Sequence, residues 1–466
     1  MDLMALGRRK RQHQELWVAT TDLPRSPGHP FYKKLNRLLV EAGFDDWLER
    51  LCQPYYAADQ GRPGIPPGVY FRMILVGYFE GISSQRGIAW RCSDSRSLSE
   101  FLGFGPTDTT PDHSSLTRIH QRLPLEVHHQ VFQFVLSIAQ GKNLIEGQTV
   151  AVDSTTLEAN AAMKSIVRKD TGEDWNQYLR RLMQEQGLIE DEQEPTDEDL
   201  RRFDKQRQDK KVSNAEWESP TDPDSRIAKM KDGTMHLAYK AEHVVDLATD
   251  LILAAEIRPA DHADCDTLVD SVLQAQLNLQ AADSEAEIKE AVADKGYHKT
   301  ALLELAESVN LRTYIPEPQR RSRSRWTDKP PEQRRAVYAN RRRVRGARSK
   351  RLQRLRSELC ERSFAHVCET GGGRRCWLRG LAEVFKRYLL QVAARNLGVI
   401  LRALCGVGTP RSLQGEGGFA CALVQLVYLV IYRLAGTWQR ICDTSRTAEQ
   451  IPRHLAWHRL PNVSPA

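Results

Sequence analysis

The sequence predicts a mixed α+β protein: short helices first, then three strands in succession, then helices alternating with strands. Three observations predict it. Two apolar stretches each end on a carboxylate, Thr149-Val150-Ala151-Val152-Asp153-Ser154-Thr155 and Glu290-Ala291-Val292-Ala293-Asp294-Lys295-Gly296-Tyr297. Each reads as a buried strand that surfaces on an acid, and such a strand has no reason to end on Asp unless a turn or a ligand takes the charge. Residues 236–246 alternate well enough for a strand, and 250–257 read as its partner across a turn at 247–249. The first 141 residues and the stretches between the later strands carry apolar residues at helical spacing instead.

Length and composition set the bounds. At 466 residues with 41% apolar residues the chain can bury a sizeable core over two or three domains. Its net charge of +7 is unevenly placed, with 16 Lys and Arg against two acids between 320 and 356. A basic block of that density points to a polyanion, most plausibly nucleic acid. The nine cysteines form no CxxC, and the polar, basic first residues are no signal peptide, so a reduced, cytoplasmic compartment is expected. The longest apolar run, 419–431, is too short to span a bilayer and contains Gln425; it is read as a buried C-terminal helix, with no membrane partner.

Taken in order, residues 1–60 form an N-terminal segment with one helix over 29–51. A turn-rich boundary follows, Gly61-Arg62-Pro63-Gly64-Ile65-Pro66-Pro67. Residues 61–141 read as a helical DNA-binding or dimerisation domain with helices at 69–80, 83–92, 98–101 and from 116. Pro111-Asp112-His113-Ser114-Ser115 caps the last of these, with His113 taken as a cap residue rather than a catalytic one. A helix at 127–141 leads to the first acidic strand. Residues 161–230 are highly charged, with eight acids between Glu185 and Asp199, and read as an exposed helical or partly disordered insertion. After the strand pair come a helix at 267–277, the Asp294 strand, a helix at 300–309, a strand at 312–315 and helices at 349–364 and 383–404. Residues 406–466 hold the C-terminal helix and tail.

The order over 142–405 is therefore β-β-β-α-β-α-β-α, which is that of a ribonuclease-H-like core. In that fold the first strand is central and the first and fourth lie side by side. Asp153 and Asp294 then become neighbours although 141 positions separate them. Two strand-end acids and a third on a helix suit a hard cation such as Mg²⁺, which takes oxygen ligands. Two such ions about 3.5–4 Å apart serve phosphoryl transfer. Glu358 and Glu361, spaced i, i+3 on the 349–364 helix, are the candidates for the third acid. His262 and Cys265 lie close in sequence, but zinc there is the weaker reading.

The chain resembles the DDE-type transposases of bacterial insertion sequences. The resemblance rests on four stretches spanning roughly 30–405. Gly61-Arg62-Pro63, Gly77-Tyr78-Phe79-Glu80-Gly81-Ile82-Ser83-Ser84 and Pro111-Asp112-His113-Ser114 are similar to the family's N-terminal helical domain. Val152-Asp153-Ser154-Thr155 resembles its first catalytic strand, and Ala293-Asp294-Lys295-Gly296-Tyr297, the most specific of the four, its second. Glu361-Arg362-Ser363-Phe364, with Arg374, Arg375 and Leu378-Arg379-Gly380, resembles the segment bearing the catalytic Glu. Many relatives surround that Glu as Y-x2-R-x3-E-x6-K. Here Arg354, Ser357 and Cys368 stand at those places around Glu361, whereas around Glu358 only Arg354 fits, at the Arg place. The Arg-x-Phe that follows favours Glu361, with Glu358 the runner-up.

The resemblance implies that Asp153, Asp294 and Glu361 hold Mg²⁺, with Mn²⁺ able to substitute. It also implies cleavage at the element's terminal inverted repeats, joining of the freed 3′-OH to target DNA, and a homodimer on paired ends. Lys295 and Tyr297 are expected to touch the DNA backbone near the cut. Arg320, Arg321, Arg323, Arg325, Arg341, Arg342, Arg343, Arg374, Arg375 and Arg379 are expected to grip phosphates, and Trp326 to stack on a base or to pack. A nuclease of the same fold without strand transfer, and an inactive DNA-binding derivative, remain open.

Overall fold

The computed structural model describes residues 27–57, 64–190, 194–208, 212–230, 233–319, 329–375 and 377–413, with Trp17, Ala19 and Leu23. The expected turn at 61–63, Arg320, Arg321, Arg323, Arg325, Trp326 and the helix at 419–431 lie outside the described residues.

Seven helices come first. α1 (Pro30–Glu41) and α2 (Phe44–Cys52) replace the one helix expected over 29–51. Gly43 separates them at φ +67°, a left-handed conformation that ends a helix. The apolar period runs on through the break because both helices bury a face, Phe31, Leu35 and Leu39 on the first and Phe44 and Leu48 on the second. α3 (Pro67–Glu80) is buried all round from Gly68 to Phe79, as befits a helix with no polar face. α4 (Gln85–Ser93), α5 (Arg96–Phe101), α6 (His113–Arg122) and α7 (Leu125–Gly141) pack around it or follow it. The cap of α6 is Asp112, whose carboxylate accepts the Ser115 N–H at 2.9 Å; His113 is the first helical residue instead.

The sheet follows. β1 (Thr149–Glu158) leads into the insertion, which is folded where it is described. A two-stranded piece, β2 (Val167–Arg168) with β3 (Trp217–Glu218), stands beside α8 (Trp175–Glu185) and α9 (Asp197–Gln206). The two helices share a small core of Leu179, Met183, Leu200 and Phe203, and Trp175, Tyr178 and Trp217 form an aromatic cluster next to it. Seven apolar and aromatic anchors lie in this charged stretch. β4 (Arg226–Lys229) then pairs with the start of β5 (Met235–Asp246), and β6 (Ile252–Pro259) pairs with the rest of it. β7 (Glu290–Val292) and β8 (Arg312–Tyr314) complete a six-stranded sheet in which β4 and β6 both pair with β5, followed by β1, β7 and β8. β5 is antiparallel to β1 and β6, whereas β7 is parallel to both β1 and β8. Three antiparallel strands with the first central, and two parallel strands beside it, make a ribonuclease-H-like core.

Helices cover the sheet. α10 (Asp264–Ala281) packs on β5 and β6 and touches α11 (Thr300–Ser308). α12 (Pro331–Arg345), formed from the basic segment, packs on α11 and β8. α13 (Ala347–Phe364) lies across β1, β5 and β7, and its last turn widens into a π-helix over Ala365–Thr370. α14 (Leu381–Cys405) is long and apolar enough to cross a membrane by composition. It is instead mostly buried, against α7, α3 and β6. One continuous apolar core therefore runs from Phe31 through the sheet to Leu401, joining the regions expected as a helical domain and a catalytic domain.

Glu256 on β6 is a costly resident of this sheet. Burial pushes its pKa up to about 7 from an ordinary 4.5, and Glu242 and Asp270 add to the rise while Arg258 opposes it. A raised folded-state pKa means that protonation favours the fold: the contribution is whole below the ordinary value and is lost as pH rises through 7. Glu256→Gln should therefore stabilise the protein at pH 8 by about 1–3 kcal/mol, with the gain vanishing near pH 4.5, as followed by thermal unfolding across that range.

Candidate active site

The parallel ladder between β1 and β7 pairs Thr149 with Glu290, Val150 with Ala291 and Ala151 with Val292. The pairing ends there, two residues before each acid, so that the same register carried on would bring Asp153 level with Asp294. Asp294 is one of the charges that raise the pKa of Asp153. Burial is the larger cause of that rise, and Asp264 adds to it. The Arg356 guanidinium and the Ser154 N–H oppose it.

Each carboxylate is held in place. Asp153 accepts the Ser154 N–H at 2.9 Å on one oxygen and Arg356 Nη1 at 2.9 Å on the other. Asp294 caps a single helical turn, Lys295–Tyr297, by accepting the Gly296 N–H at 2.8 Å. Asp264, at the start of α10, accepts the Ser154 hydroxyl at 2.6 Å and pairs with Lys240. Asp264 and Arg356 were not singled out from sequence. The dense Asp261-His262-Ala263-Asp264-Cys265-Asp266 run opening a helix was the available signal for the first. Arg356, one of the sixteen cations between 320 and 356, sits on Asp153.

The third acid stands apart. Glu361 is exposed on α13 and accepts the Ser357 hydroxyl at 3.0 Å. Glu358 is exposed and paired with Arg362 one turn on. The side of α13 turned to the strand ends carries Gln353, bonded to the Ala293 and Tyr314 carbonyls, Arg356, and fully buried Cys360. At roughly 100° per residue, Glu361 lies about 100° from Cys360 round the helix and Glu358 about 160°. Glu361 is thus nearer the acid pair and Glu358 faces away. Among the described residues no three His, Cys, Asp or Glu side chains stand close enough to hold a metal together, His262 and Cys265 included. The oxygen-only chemistry of Asp153 and Asp294, with charge that Arg356 only partly offsets, still fits a hard divalent cation.

The expected DNA contacts divide. Lys295 is exposed beside Asp294. Tyr297 is buried and donates its hydroxyl to Glu242 at 2.9 Å, so it faces the interior rather than a ligand. Arg374 Nη1 donates to Thr155 Oγ1 at 3.2 Å and to the Thr156 carbonyl at 3.1 Å, and Arg375 lies against Glu158 and stacks on Trp377. Both therefore line the continuation of the strand that bears Asp153. Arg379 and Arg342 are exposed; Arg341 pairs with Glu317, and Arg343 is half-buried on the Thr313 carbonyl.

A ribonuclease-H-like sheet with paired carboxylates on adjacent strand ends defines a class of phosphoryl-transfer proteins. Residues 146–397 match the family described as the transposase DDE domain, and residues 22–122 match a transposase domain of the DUF772 type. The first match spans more than half of the chain, and the protein belongs to the DDE transposases of insertion-sequence kind. DDE domains generally use divalent metal ions. No curated protein matches the chain. Among solved structures, the Mos1 transposase paired-end complex with left transposon end is similar over 61% of this chain and 76% of that one, at 12% identity. Its TM-score of 0.17 is too low to carry any argument.

Asp294 has a structural duty besides its charge. Asp294→Ala should cost about 1 kcal/mol through loss of the cap, whereas Asp294→Asn, which keeps the acceptor for Gly296, should unfold close to wild type. Thermal unfolding of the two variants checks this.

Proposed function

We propose that this transposase cleaves DNA at the ends of its element and joins the freed 3′ ends to target DNA, using Asp153, Asp294 and Glu361 to hold Mg²⁺. The observation that supports this best is the parallel pairing of the two strands that lead to Asp153 and Asp294, with Arg374 and Arg375 lying against the first of them. Mg²⁺ bound there would supply activation of the attacking oxygen and stabilisation of the leaving oxygen. Mn²⁺, similar in its oxygen preference, would substitute.

The chain's own part is positioning. Lys295, Arg374, Arg375 and Arg379 bind the phosphates on either side of the scissile bond and hold it in line with the attacking group. Water attacks first and leaves a 3′-OH at the element end. That 3′-OH then attacks a target phosphodiester, and one site serves both steps because only the identity of the attacking oxygen changes. The basic helix α12 carries flanking DNA through contacts that do not depend on sequence. Two copies on paired ends, acting in the cytoplasm, complete the reading.

Cleavage and joining of DNA carrying the element's own ends should fall by about 10³-fold or more in Asp153→Asn, Asp294→Asn and Glu361→Gln. Glu358→Gln should stay near wild type, and all four should still bind the ends. Activity in Glu361→Gln and loss in Glu358→Gln would move the third ligand to Glu358. Cleavage without joining would leave a nuclease, and binding without cleavage a DNA-binding protein. In the same binding assay, Arg374→Gln with Arg375→Gln should lower the slope of log affinity against log salt by about 2.

A further inference from the structure

Glu242 and His243 are consecutive on β5, opposite Ser154 and Asp153 of β1. Consecutive strand residues face opposite sides of a sheet, and their contacts follow suit. Both are buried, at 2% and 0% exposure, and neither has a part in the chemistry described above.

Glu242 accepts the Thr267 hydroxyl at 2.9 Å, the Tyr297 hydroxyl at 2.9 Å and the Ser271 hydroxyl. A buried carboxylate with hydroxyl donors on both oxygens is fixed in orientation. Tyr297 ends the turn that Asp294 caps, so Glu242 anchors that turn three residues from the acid. His243 works on the other face. Ser363 gives its hydroxyl proton to the Cys360 carbonyl, so His243 Nδ1–H donates to Ser363 Oγ at 2.9 Å. His243 Nε2 then accepts from the Tyr388 hydroxyl at 2.8 Å, and the ring stacks on Phe364 at 4.1 Å. Ser363 is two residues beyond Glu361 on α13.

We propose that Glu242 and His243 are positioning residues for the acid triad. Glu242 holds the turn bearing Asp294, and His243 holds the helix bearing Glu361. Both are referenced to the strand that lies directly against Asp153. The arrangement explains why two consecutive polar residues are buried on opposite faces of a central strand, where apolar residues would cost less. The proposal rests on the reading of Asp153, Asp294 and Glu361 as the metal-holding acids.

The test uses four hydroxyl deletions in the full-length protein. Tyr297→Phe and Ser363→Ala cut the links to the acid-bearing elements. Thr267→Val and Tyr388→Phe each remove another hydroxyl from the same two residues and leave those links intact; with Thr267 gone, Ser271 and Tyr297 still hold both oxygens of Glu242. Mn²⁺ affinity is measured calorimetrically beside thermal unfolding, with Asp153→Asn as reference. All four variants should lose similar stability. Tyr297→Phe and Ser363→Ala alone should lose about tenfold or more in Mn²⁺ affinity, the size of effect seen when supports of metal ligands are removed. Equal losses of affinity in all four, or none in the first pair, would overturn the positioning role while a large loss in Asp153→Asn keeps the metal reading. If Asp153→Asn binds Mn²⁺ as wild type does, the metal reading itself has failed and takes this proposal with it.

Discussion

Parallel pairing of β1 with β7 is the constraint on which the rest of the structure depends. Two parallel neighbours cannot be joined by a hairpin, so the chain must leave β1 at one end of the sheet and return to start β7 at the other. The residues between them supply the insertion, β5, β6 and α10. The ladder is short, and its register is fixed at the foot. Glu290 accepts from Thr149 Oγ1 at 2.8 Å, the Tyr314 hydroxyl at 3.1 Å and Arg348 at 2.5 Å, tying β1, β7, β8 and α13 together. A slip by one residue would turn Asp294 to the other face and undo the pair.

Setting two carboxylates level in a partly buried place is unfavourable in the absence of a cation, and the surroundings show how the cost is contained. Arg356 covers Asp153, the turn N–H of Gly296 covers Asp294, and Lys240 balances Asp264. Arg356 reaches the site from α13, so the helix that carries the candidate third acid also carries the cation that neutralises the first. The N-terminal helices act at a distance. α7 packs on both α14 and α10, and so braces the layers over the β6 side of the sheet.

Much of this was legible in the sequence because burial leaves a pattern. Val150-Ala151-Val152 before Asp153 and Ala291-Val292-Ala293 before Asp294 can only be strand interiors that surface on an acid. The alternation through His236–Asp246 and the long apolar stretch of α14 are equally direct. Two of the misses share one cause: charge conceals packing. Leu179, Met183, Leu200 and Phe203 fold the insertion although acids outnumber them. Basic residues similarly obscured α12, whose Ala336, Val337 and Asn340 are buried. The roles of Arg356, Asp264 and Tyr297 depend on partners more than 20 residues away, and no local spacing could reveal them. For the third acid, spacing on a helix offered Glu358 and Glu361; the Arg-x-Phe after Glu361 favoured it in the sequence, and the angular position against Cys360 favours it in the fold.

If Asp153 and Asp294 share one cation, as proposed, an anomalous-scattering map of crystals of the full-length protein grown with Mn²⁺ will locate it. The expected peak lies about 2.0–2.3 Å from an oxygen of each Asp, with the Arg356 guanidinium withdrawn from Asp153. A map in which Mn²⁺ avoids both carboxylates while Arg356 remains on Asp153 would contradict it.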